Sequence, residues 1–204
     1  MALRFAIIDY GMGNLYSVRN TFASLGIAAD IVDSPQRLAD YDKLILPGVG
    51  AFGDAMRELR KRDLIDPIRA FVAQGKPFLG ICLGMQLLLE KSQEAPGVEG
   101  LGVVPGVVKK FSSRLKCPHM GWNEVEKKTR PDRIFKGLRG PVYAYFCHSY
   151  YCVVRDASLV IGATRYGVRF ASVVRRGHVY GMQFHPEKSQ GVGLGILRNF
   201  IERC

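Results

Sequence analysis

With 204 residues, 48% of them hydrophobic and 23% charged, the chain is long enough to bury one large core and too apolar for a disordered protein. It contains no apolar run near the roughly 18 residues that a membrane-spanning helix needs, and no signal sequence is recognisable, so a cytoplasmic protein is expected. Five cysteines, none of them in a Cys-x-x-Cys pair, indicate neither a disulfide framework nor a zinc ribbon.

The positive charge is concentrated in one stretch. The net charge is +11, and residues 107–139 contain ten basic and three acidic side chains. Such a stretch occurs in proteins with an anionic partner or substrate, but a solvated basic face looks the same in sequence. A nucleic-acid-binding module would usually add aromatic side chains among the basic ones. Only Phe111, Trp122 and Phe135 do so here, which argues against a nucleic-acid partner.

The first half of the chain alternates short apolar runs with helical patterns, which predicts βαβ units packed on a parallel sheet. The predicted strands cover residues 5–8, 27–32, 44–46 and 77–81, and the predicted helices cover residues 15–25, 52–62, 67–74 and 83–90.

From residue 107 onwards β-like runs predominate, which predicts that the sheet becomes mixed or antiparallel. These runs cover residues 107–111, 142–147, 151–155, 160–166, 169–175 and 178–184, with a hairpin turn at 175–178. A last helix is predicted at residues 195–203. The expected fold is α/β: a single domain over residues 1–204 with a central mixed, mostly parallel sheet, flanking helices and added antiparallel strands in the second half.

Cys82 lies in a Gly-Ile-Cys-Leu-Gly segment that follows a predicted strand and opens a predicted helix. This is the pattern of a nucleophile elbow, in which small residues two before and two after the nucleophile, here Gly80 and Gly84, let the chain turn sharply. A thiol at a helix N-terminus meets unpaired N–H groups, which favour the reactive thiolate. The alternative for a single cysteine is a buried structural side chain; the elbow context favours the nucleophile.

A nucleophilic cysteine needs a base, and the base needs a group that orients it. His185 and Glu187 flank Pro186 at the end of a predicted strand. Residues two apart in an extended segment project to the same side, so one loop can present the imidazole and a carboxylate beside it. Taken alone, this tripeptide would be read as an exposed turn; together with the elbow it predicts a Cys-His-Glu triad.

Acyl transfer also needs hydrogen-bond donors for the oxyanion. The elbow geometry offers the backbone N–H of Leu83, and the glycine-rich loop after the strand at 44–46 offers those of Val49 and Gly50. Both lie at the sheet edge where α/β folds place their sites. Read alone, the loop is a turn that ends a strand.

Two other kinds of site are not supported. Gly11 and Gly13 begin a dinucleotide-binding pattern, but Tyr16 stands where its third glycine belongs. Cys147, His148 and Cys152 do not have zinc-ligand spacing, and a strand of core residues explains them better. No cofactor and no metal are therefore predicted.

Three blocks of the chain resemble class I, triad-type glutamine amidotransferases: residues 47–50 (PGVG), 80–86 (GICLGMQ) and 184–187 (FHPE). Within that superfamily, residues 9–15 (DYGMGNL), 118–123 (PHMGWN) and 148–151 (HSYY) are similar to the glutaminase subunits of imidazole glycerol phosphate synthase. The resemblance covers nearly the whole chain. It implies a flavodoxin-like fold and a role in histidine biosynthesis.

The resemblance also implies roles for individual residues. Cys82 would attack the glutamine side-chain amide, His185 would carry the proton to the leaving ammonia, and Glu187 would orient His185. One oxyanion donor would come from residues 47–50 after a peptide rearrangement, and Leu83 would provide the other. The implied glutamine-binding positions are Gly48, Gly50, Gln86, Ser149 and Tyr150.

The ammonia would pass to a separate (β/α)8 cyclase subunit, forming a heterodimer. Trp122, the only tryptophan, is either an interface anchor or a core residue, and Lys188 is a candidate partner for an acidic side chain of the cyclase. The expected interface also includes Asn14, Met120 and Asn123. Cys117 stands where the resemblance leads us to expect an aliphatic residue, and a substitution within the core is the expected explanation.

Other functions remain open at this point. An amidotransferase subunit that serves pyridoxal phosphate or anthranilate synthesis would share the triad, and residues 118–123 distinguish it. A peptidase-like cysteine hydrolase would usually have histidine after the elbow cysteine, where this chain has Leu83. A non-catalytic binding subunit would not need Cys82, His185 and Glu187 together.

Overall fold

The computed structural model describes residues 3–128 and 132–204, so Arg130 of the basic stretch lies outside the described residues. The strands are β1 (Phe5–Ile8), β2 (Ala29–Val32), β3 (Lys43–Gly48), β4 (Phe78–Cys82), β5 (Lys91–Ser92), β6 (Gly106–Lys110), β7 (His119–Glu124), β8 (Glu126–Lys127), β9 (Tyr143–His148), β10 (Tyr150–Val154), β11 (Val160–Tyr166), β12 (Val168–Arg176) and β13 (Val179–Met182). The helices are α1 (Leu15–Ser24), α2 (Phe52–Lys61), α3 (Ile65–Ala73), α4 (Leu83–Leu87) and α5 (Gln190–Arg203).

One mixed sheet forms the centre of the fold. Its strand order is β2-β1-β3-β4-β13-β12-β10-β6-β5, with β11 and β8 beside this path. The first five strands in that order are paired in parallel, and β12 is antiparallel to β13. The predicted parallel strands of the first half and the added antiparallel strands of the second half are confirmed, and β13 of the second half joins the parallel part of the sheet. Because parallel strands end at the same edge of a sheet, β3, β4 and β13 bring their carboxyl ends together.

The helices bury both faces of the sheet. Ala6 and Ile8 of β1 belong to a core cluster that α2, α3 and α4 cover, whereas Phe5 and Ile7 belong to a second cluster that includes residues of α1 and α5. Burial on both faces explains why these strands are continuous apolar runs rather than alternating ones. None of the helices in the described ranges is long and apolar enough to cross a membrane.

The predicted helix at residues 83–90 is shorter in the structure and ends at Leu87. The carbonyl groups of Leu87, Leu88 and Leu89 accept hydrogen bonds from the segment at residues 101–104. These contacts replace the helical bonds that would have continued α4, so a distant segment of chain overrides the local helical preference.

Residues 119–123, for which the sequence pattern predicts no strand, belong to strand β7. This strand pairs with β9 in a separate two-stranded sheet, where His119 lies opposite His148. Pro118 and Gly121 are typical of turns, and Gly121 does have a φ of +132°. Pairing with β9 gives the segment its extended conformation in spite of these two residues.

Part of the basic stretch has a structural role within the chain. Lys127 donates to the carbonyls of Leu138 and Gly140, and Lys128 donates to those of Ala157 and Ser158. Ammonium groups used in this way stabilise loop ends whose carbonyls would otherwise need water. These two lysines therefore have hydrogen-bond partners within the chain and do not need an anionic ligand to explain their presence.

Candidate active site

The turn from β4 into α4 has the geometry of a nucleophile elbow. Cys82 joins the two elements with φ 54° and ψ −108°, a left-handed conformation that is strained for any residue except glycine. A Cβ on Gly84 would overlap the carbonyl of Leu46, and a Cβ on Gly80 would lie 2.7 Å from the carbonyl oxygen of Gly84. The two glycines are therefore needed for the close chain approach that holds the thiol at the sheet edge.

We expect Gly84→Ala to lower the free energy of unfolding by about 3 kcal/mol, because the new methyl group meets a backbone carbonyl that cannot move alone. Urea denaturation measures this loss. The matched control is Gly191→Ala in α5, where a Cβ would meet nothing within 4 Å. The control should change stability by less than about 1 kcal/mol; equal losses in the two variants would contradict the steric explanation.

The predicted base and its orienting carboxylate are adjacent. Nδ1 of His185 lies 2.8 Å from Oε1 of Glu187, and both side chains are buried. His185 follows β13, which pairs with β4, so the imidazole and Cys82 reach the same edge of the sheet. Burial lowers the pKa of His185, but hydrogen bonds to Cys82 and Glu187 outweigh burial and raise the pKa to about 10. The site therefore favours an imidazolium beside the sulfur.

The glycine-rich loop lies beside the elbow. Gly48 is paired with Cys82 in the β3–β4 register, and a Cβ on Gly48 would overlap the hydroxyl of Tyr10. Gly50 has a φ of +103°, and the side chain of Val49 is 45% exposed. Positive φ at Gly50 and the lack of space at Gly48 explain why the loop is built from glycines. Val49 and Gly50 line the same cavity as Leu83, the first residue of α4.

A cavity of about 330 Å³ opens next to the thiol, a size within the range of small-molecule sites. Among the residues that line it are the following predicted ones: Val49, Gly50, Cys82, Leu83, Gln86, Ser149, Tyr150, His185 and Lys188. Glu94, Pro118, Cys147 and His148 line it as well. Nearly all the residues expected at the catalytic and glutamine-binding positions are thus brought together around one space. Their individual roles stay predictions.

Gln86 is held by two hydrogen bonds. Its Nε2 donates to the carbonyl of Tyr150 at 3.1 Å and to Oε1 of Gln183 at 3.2 Å. Both N–H groups are used, so Gln86 has only its carbonyl oxygen to offer a ligand, and only as an acceptor.

Sequence reasoning missed Gln183. This side chain is fully buried, and its Nε2 lies 3.9 Å from Sγ of Cys82. A polar residue inside the apolar run 179–184 was the available signal, because a buried amide needs partners.

The predicted interface residues differ in their surroundings. Met120 and Trp122 of β7 are 61% and 49% exposed, so Trp122 is not a core residue. Asn14 caps α1 by accepting from Ser17 N at 3.2 Å, and it borders a small pocket with Gly48, Glu187 and Lys188. The side chain of Asn123 is hydrogen-bonded within the chain.

Two further expectations concern cysteine. Cys117 is exposed, so its expected place in the core is wrong. Within the described ranges no group of three or more His, Cys, Asp or Glu residues is arranged to hold a metal ion. Cys147 and Cys152 are free thiols in the structure.

Comparison with known proteins agrees with this geometry. The family described as "Glutamine amidotransferase class-I" matches residues 6–204. The chain is 52% identical over 202 residues to "Imidazole glycerol phosphate synthase subunit HisH" of Sulfurimonas denitrificans, with 97% of each chain covered. It is 48% identical over 197 residues to the subunit of the same name in Moorella thermoacetica, with 97% of this chain and 93% of the relative covered.

Among solved structures, PurLQS from Thermotoga maritima aligns with a TM-score of 0.80 at 19% identity and covers 98% of each chain, a likeness that concerns the fold alone. The family match and the two relatives span nearly the full length of the chain. The chain therefore belongs to the class I glutamine amidotransferase family and, within it, to the HisH subunits of imidazole glycerol phosphate synthase.

Proposed function

We propose that Cys82, His185 and Glu187 form the catalytic triad with which this chain hydrolyses glutamine to glutamate and ammonia. Family membership makes the chain the glutaminase subunit of imidazole glycerol phosphate synthase, an enzyme of histidine biosynthesis. The observation that carries the triad proposal is the strained elbow at Cys82 beside a buried His185–Glu187 pair with a 2.8 Å contact.

In the proposed first step, the sulfur of Cys82 attacks the side-chain amide carbon of glutamine. Nδ1 of His185 is held by Glu187, which leaves Nε2 to exchange a proton with the sulfur and then with the leaving nitrogen. The carbon–nitrogen bond breaks, ammonia leaves, and a glutamyl thioester remains on Cys82. Water then hydrolyses the thioester to glutamate, with the same imidazole taking the proton from the water.

Charge on the amide oxygen needs stabilisation during both steps. The N–H of Leu83 lies at the N-terminus of α4, and Val49 and Gly50 line the same cavity as Leu83. We propose that these groups form the oxyanion hole, with a peptide rearrangement at residues 47–50 completing it. Gly48, Gly50, Gln86, Ser149 and Tyr150 would bind the rest of the substrate.

As a synthase subunit, the chain works with another subunit. We propose that this partner is a (β/α)8 cyclase, which takes up the ammonia, and that it docks over Asn14, Met120, Trp122, Asn123 and Lys188. The exposure of Met120 and Trp122 supports this, because large apolar side chains at a surface are typical interface anchors. Lys188 lines the active-site cavity, and none of the ion pairs formed within residues 3–128 and 132–204 involves it.

The test is glutamate release from glutamine by the wild-type chain, alone and with the cyclase subunit and its ligand. We expect weak activity alone and strong stimulation in the complex, since in the proposed mechanism the oxyanion hole is complete only after the peptide rearrangement at residues 47–50. No activity under either condition would refute the glutaminase proposal, and full activity in isolation would refute the dependence on the partner.

We further expect Lys188→Ala to weaken the complex and to reduce the stimulation, because Lys188 lines the active-site cavity and also lines a small neighbouring pocket together with Asn14 of the proposed docking face. The loss of affinity should be about five- to tenfold, the size of one partly desolvated ion pair. Lys61→Ala, at the exposed end of α2, is the matched control. Equal affinity and equal stimulation in the two variants would rule out the role of Lys188. Titration calorimetry and the glutamate assay provide the two measurements.

A further inference from the structure

We propose that Asn123, His119 and His148 form a hydrogen-bond relay of fixed direction that positions the carbonyl of Tyr150, and with it Gln86, at the wall of the active-site cavity. These three are positioning residues, which we call the relay; none of them has to touch the reacting atoms. The inference rests on the proposed function, because it assigns the cavity to glutamine.

The direction of the relay is set at Asn123. Oδ1 accepts from the backbone N–H of Glu124 at 2.8 Å, and Nδ2 donates to the carbonyl of Arg165 at 2.9 Å. A backbone N–H can only donate and a carbonyl can only accept, so the orientation of the amide is determined at both ends. The second N–H of Nδ2 then points to Nε2 of His119 at 3.1 Å, and Nε2 must accept.

The two imidazoles continue the chain of donors. Nδ1 of His119 lies 3.0 Å from Nε2 of His148, and Nδ1 of His148 lies 2.7 Å from the carbonyl oxygen of Tyr150. Because that carbonyl can only accept, Nδ1 of His148 carries the hydrogen. Nε2 of a neutral His148 is then an acceptor, and His119 donates to it through Nδ1. Every atom of the relay has one consistent role when both rings are neutral Nδ1–H tautomers.

The surroundings keep both rings neutral. Both histidines are buried, and His119 is stacked between Phe146 and Tyr166. Burial lowers the pKa of His119 to about 4. Burial likewise lowers the pKa of His148 to about 3, against the opposing effect of its hydrogen bond to Tyr150. At neutral pH neither ring carries a charge, so the direction of the relay does not change there.

The carbonyl of Tyr150, at the end of the relay, accepts a second hydrogen bond. Tyr150 O also accepts from Nε2 of Gln86 at 3.1 Å, so both of its acceptor positions are used. The carbonyl of Tyr150 is therefore held by two donors, and both Tyr150 and Ser149 line the cavity. Because Gln86 keeps only its carbonyl oxygen for a ligand, loss of the relay would loosen the acceptor that faces the substrate.

The far end of the relay lies on the strand that carries the proposed docking face. His119 and Asn123 belong to β7, on either side of the exposed Met120 and Trp122. A shift of β7 against β9 would change the His119–His148 contact directly, since these residues are opposite each other in the register. The relay thus connects the proposed partner surface with the substrate cavity through hydrogen bonds of 2.7–3.1 Å.

The first test measures the tautomers in the intact wild-type chain. Long-range 1H–15N NMR spectra of the 15N-labelled protein at neutral pH should show Nδ1–H, with Nε2 unprotonated, for both His119 and His148. An Nε2–H tautomer or an imidazolium on either ring would overturn the relay. This result does not depend on activity, so it stands apart from the glutaminase proposal.

The second test compares three variants in the complex in which the wild type is most active. His148→Leu removes the donor to Tyr150, and we expect the KM for glutamine to rise about tenfold with a smaller change in kcat. His148→Asn places an amide donor near the position of Nδ1, and the KM should return to within about threefold of the wild-type value.

The matched control is Phe170→Leu, which removes an aromatic ring that packs on His148 without touching the relay's hydrogen bonds. We expect little change in its KM. A KM for His148→Leu no higher than that of Phe170→Leu, or no rescue by His148→Asn, would overturn the relay while leaving the glutaminase proposal intact. A wild-type complex without glutaminase activity would instead refute the proposed function.

Discussion

Replacing Cys82 with alanine is expected to reduce glutamate release by about 10⁴- to 10⁶-fold, the range seen when a triad nucleophile is removed. Without the sulfur no thioester forms, and the oxyanion donors and His185 have only water to act on. The initial rate of glutamate formation, measured in the complex with the cyclase, checks this expectation.

Two controls separate lost chemistry from lost structure. Cys152→Ala removes another buried thiol, one that lies 4.0 Å from Gln183, and should leave glutamate release within about threefold of wild type. The complex of Cys82→Ala with the cyclase should still form the synthase products when ammonium salt replaces glutamine. Failure with ammonium would mean that the variant disturbs assembly, and retained glutaminase activity would exclude Cys82 as the nucleophile.

Glu187→Gln is expected to lower kcat by about 10³- to 10⁴-fold with a small change in KM. The carboxylate accepts from Nδ1 of His185 and stabilises the imidazolium, whereas an amide can present its NH2 group and hold the ring in the wrong tautomer. Steady-state kinetics of the complex measure the effect. A variant with wild-type kcat would show that Glu187 does not orient the base.

The same substitution should change the pH dependence of stability. The pKa of His185 is raised from 6.5 to about 10 in the folded chain, so the stabilisation it brings is complete below pH 6.5 and disappears as the pH rises through about 10. Glu187→Gln removes one of the two hydrogen bonds that raise this pKa. The difference in unfolding free energy between wild type and variant should therefore be largest below pH 6.5 and shrink towards pH 10 in urea denaturation.

Much of the parallel core was predictable because its strands are buried on both faces. Continuous apolar runs such as Phe5–Ile8 and Phe78–Cys82 produce an unambiguous local pattern. The proposed triad rests on local signals as well: the elbow needs glycines at fixed distances from Cys82, and His185 and Glu187 are two residues apart. Each of these features depends on short stretches of chain.

The features that were missed depend on distant segments. Strand β7 forms because β9 lies beside it. Helix α4 ends at Leu87 because N–H groups of residues 101–104 donate to the carbonyls of Leu87, Leu88 and Leu89. Gln183 reaches the sulfur of Cys82 from 101 positions away in the chain. Likewise, His119 and His148 are 29 positions apart. Local periodicity carries no information about such contacts, so these long-range hydrogen bonds could not be derived from the sequence pattern.

The left-handed backbone of Cys82 has a consequence beyond catalysis. Glycine is the residue that adopts a φ of 54° without strain, so the fold by itself would favour glycine at this position. The sulfur is retained against that preference, at a cost of about 1–3 kcal/mol for a non-glycine residue in such a conformation. If the thiol has the role proposed for it, position 82 is a point where activity and stability oppose each other, and selection for thermal robustness alone would tend to remove the thiol.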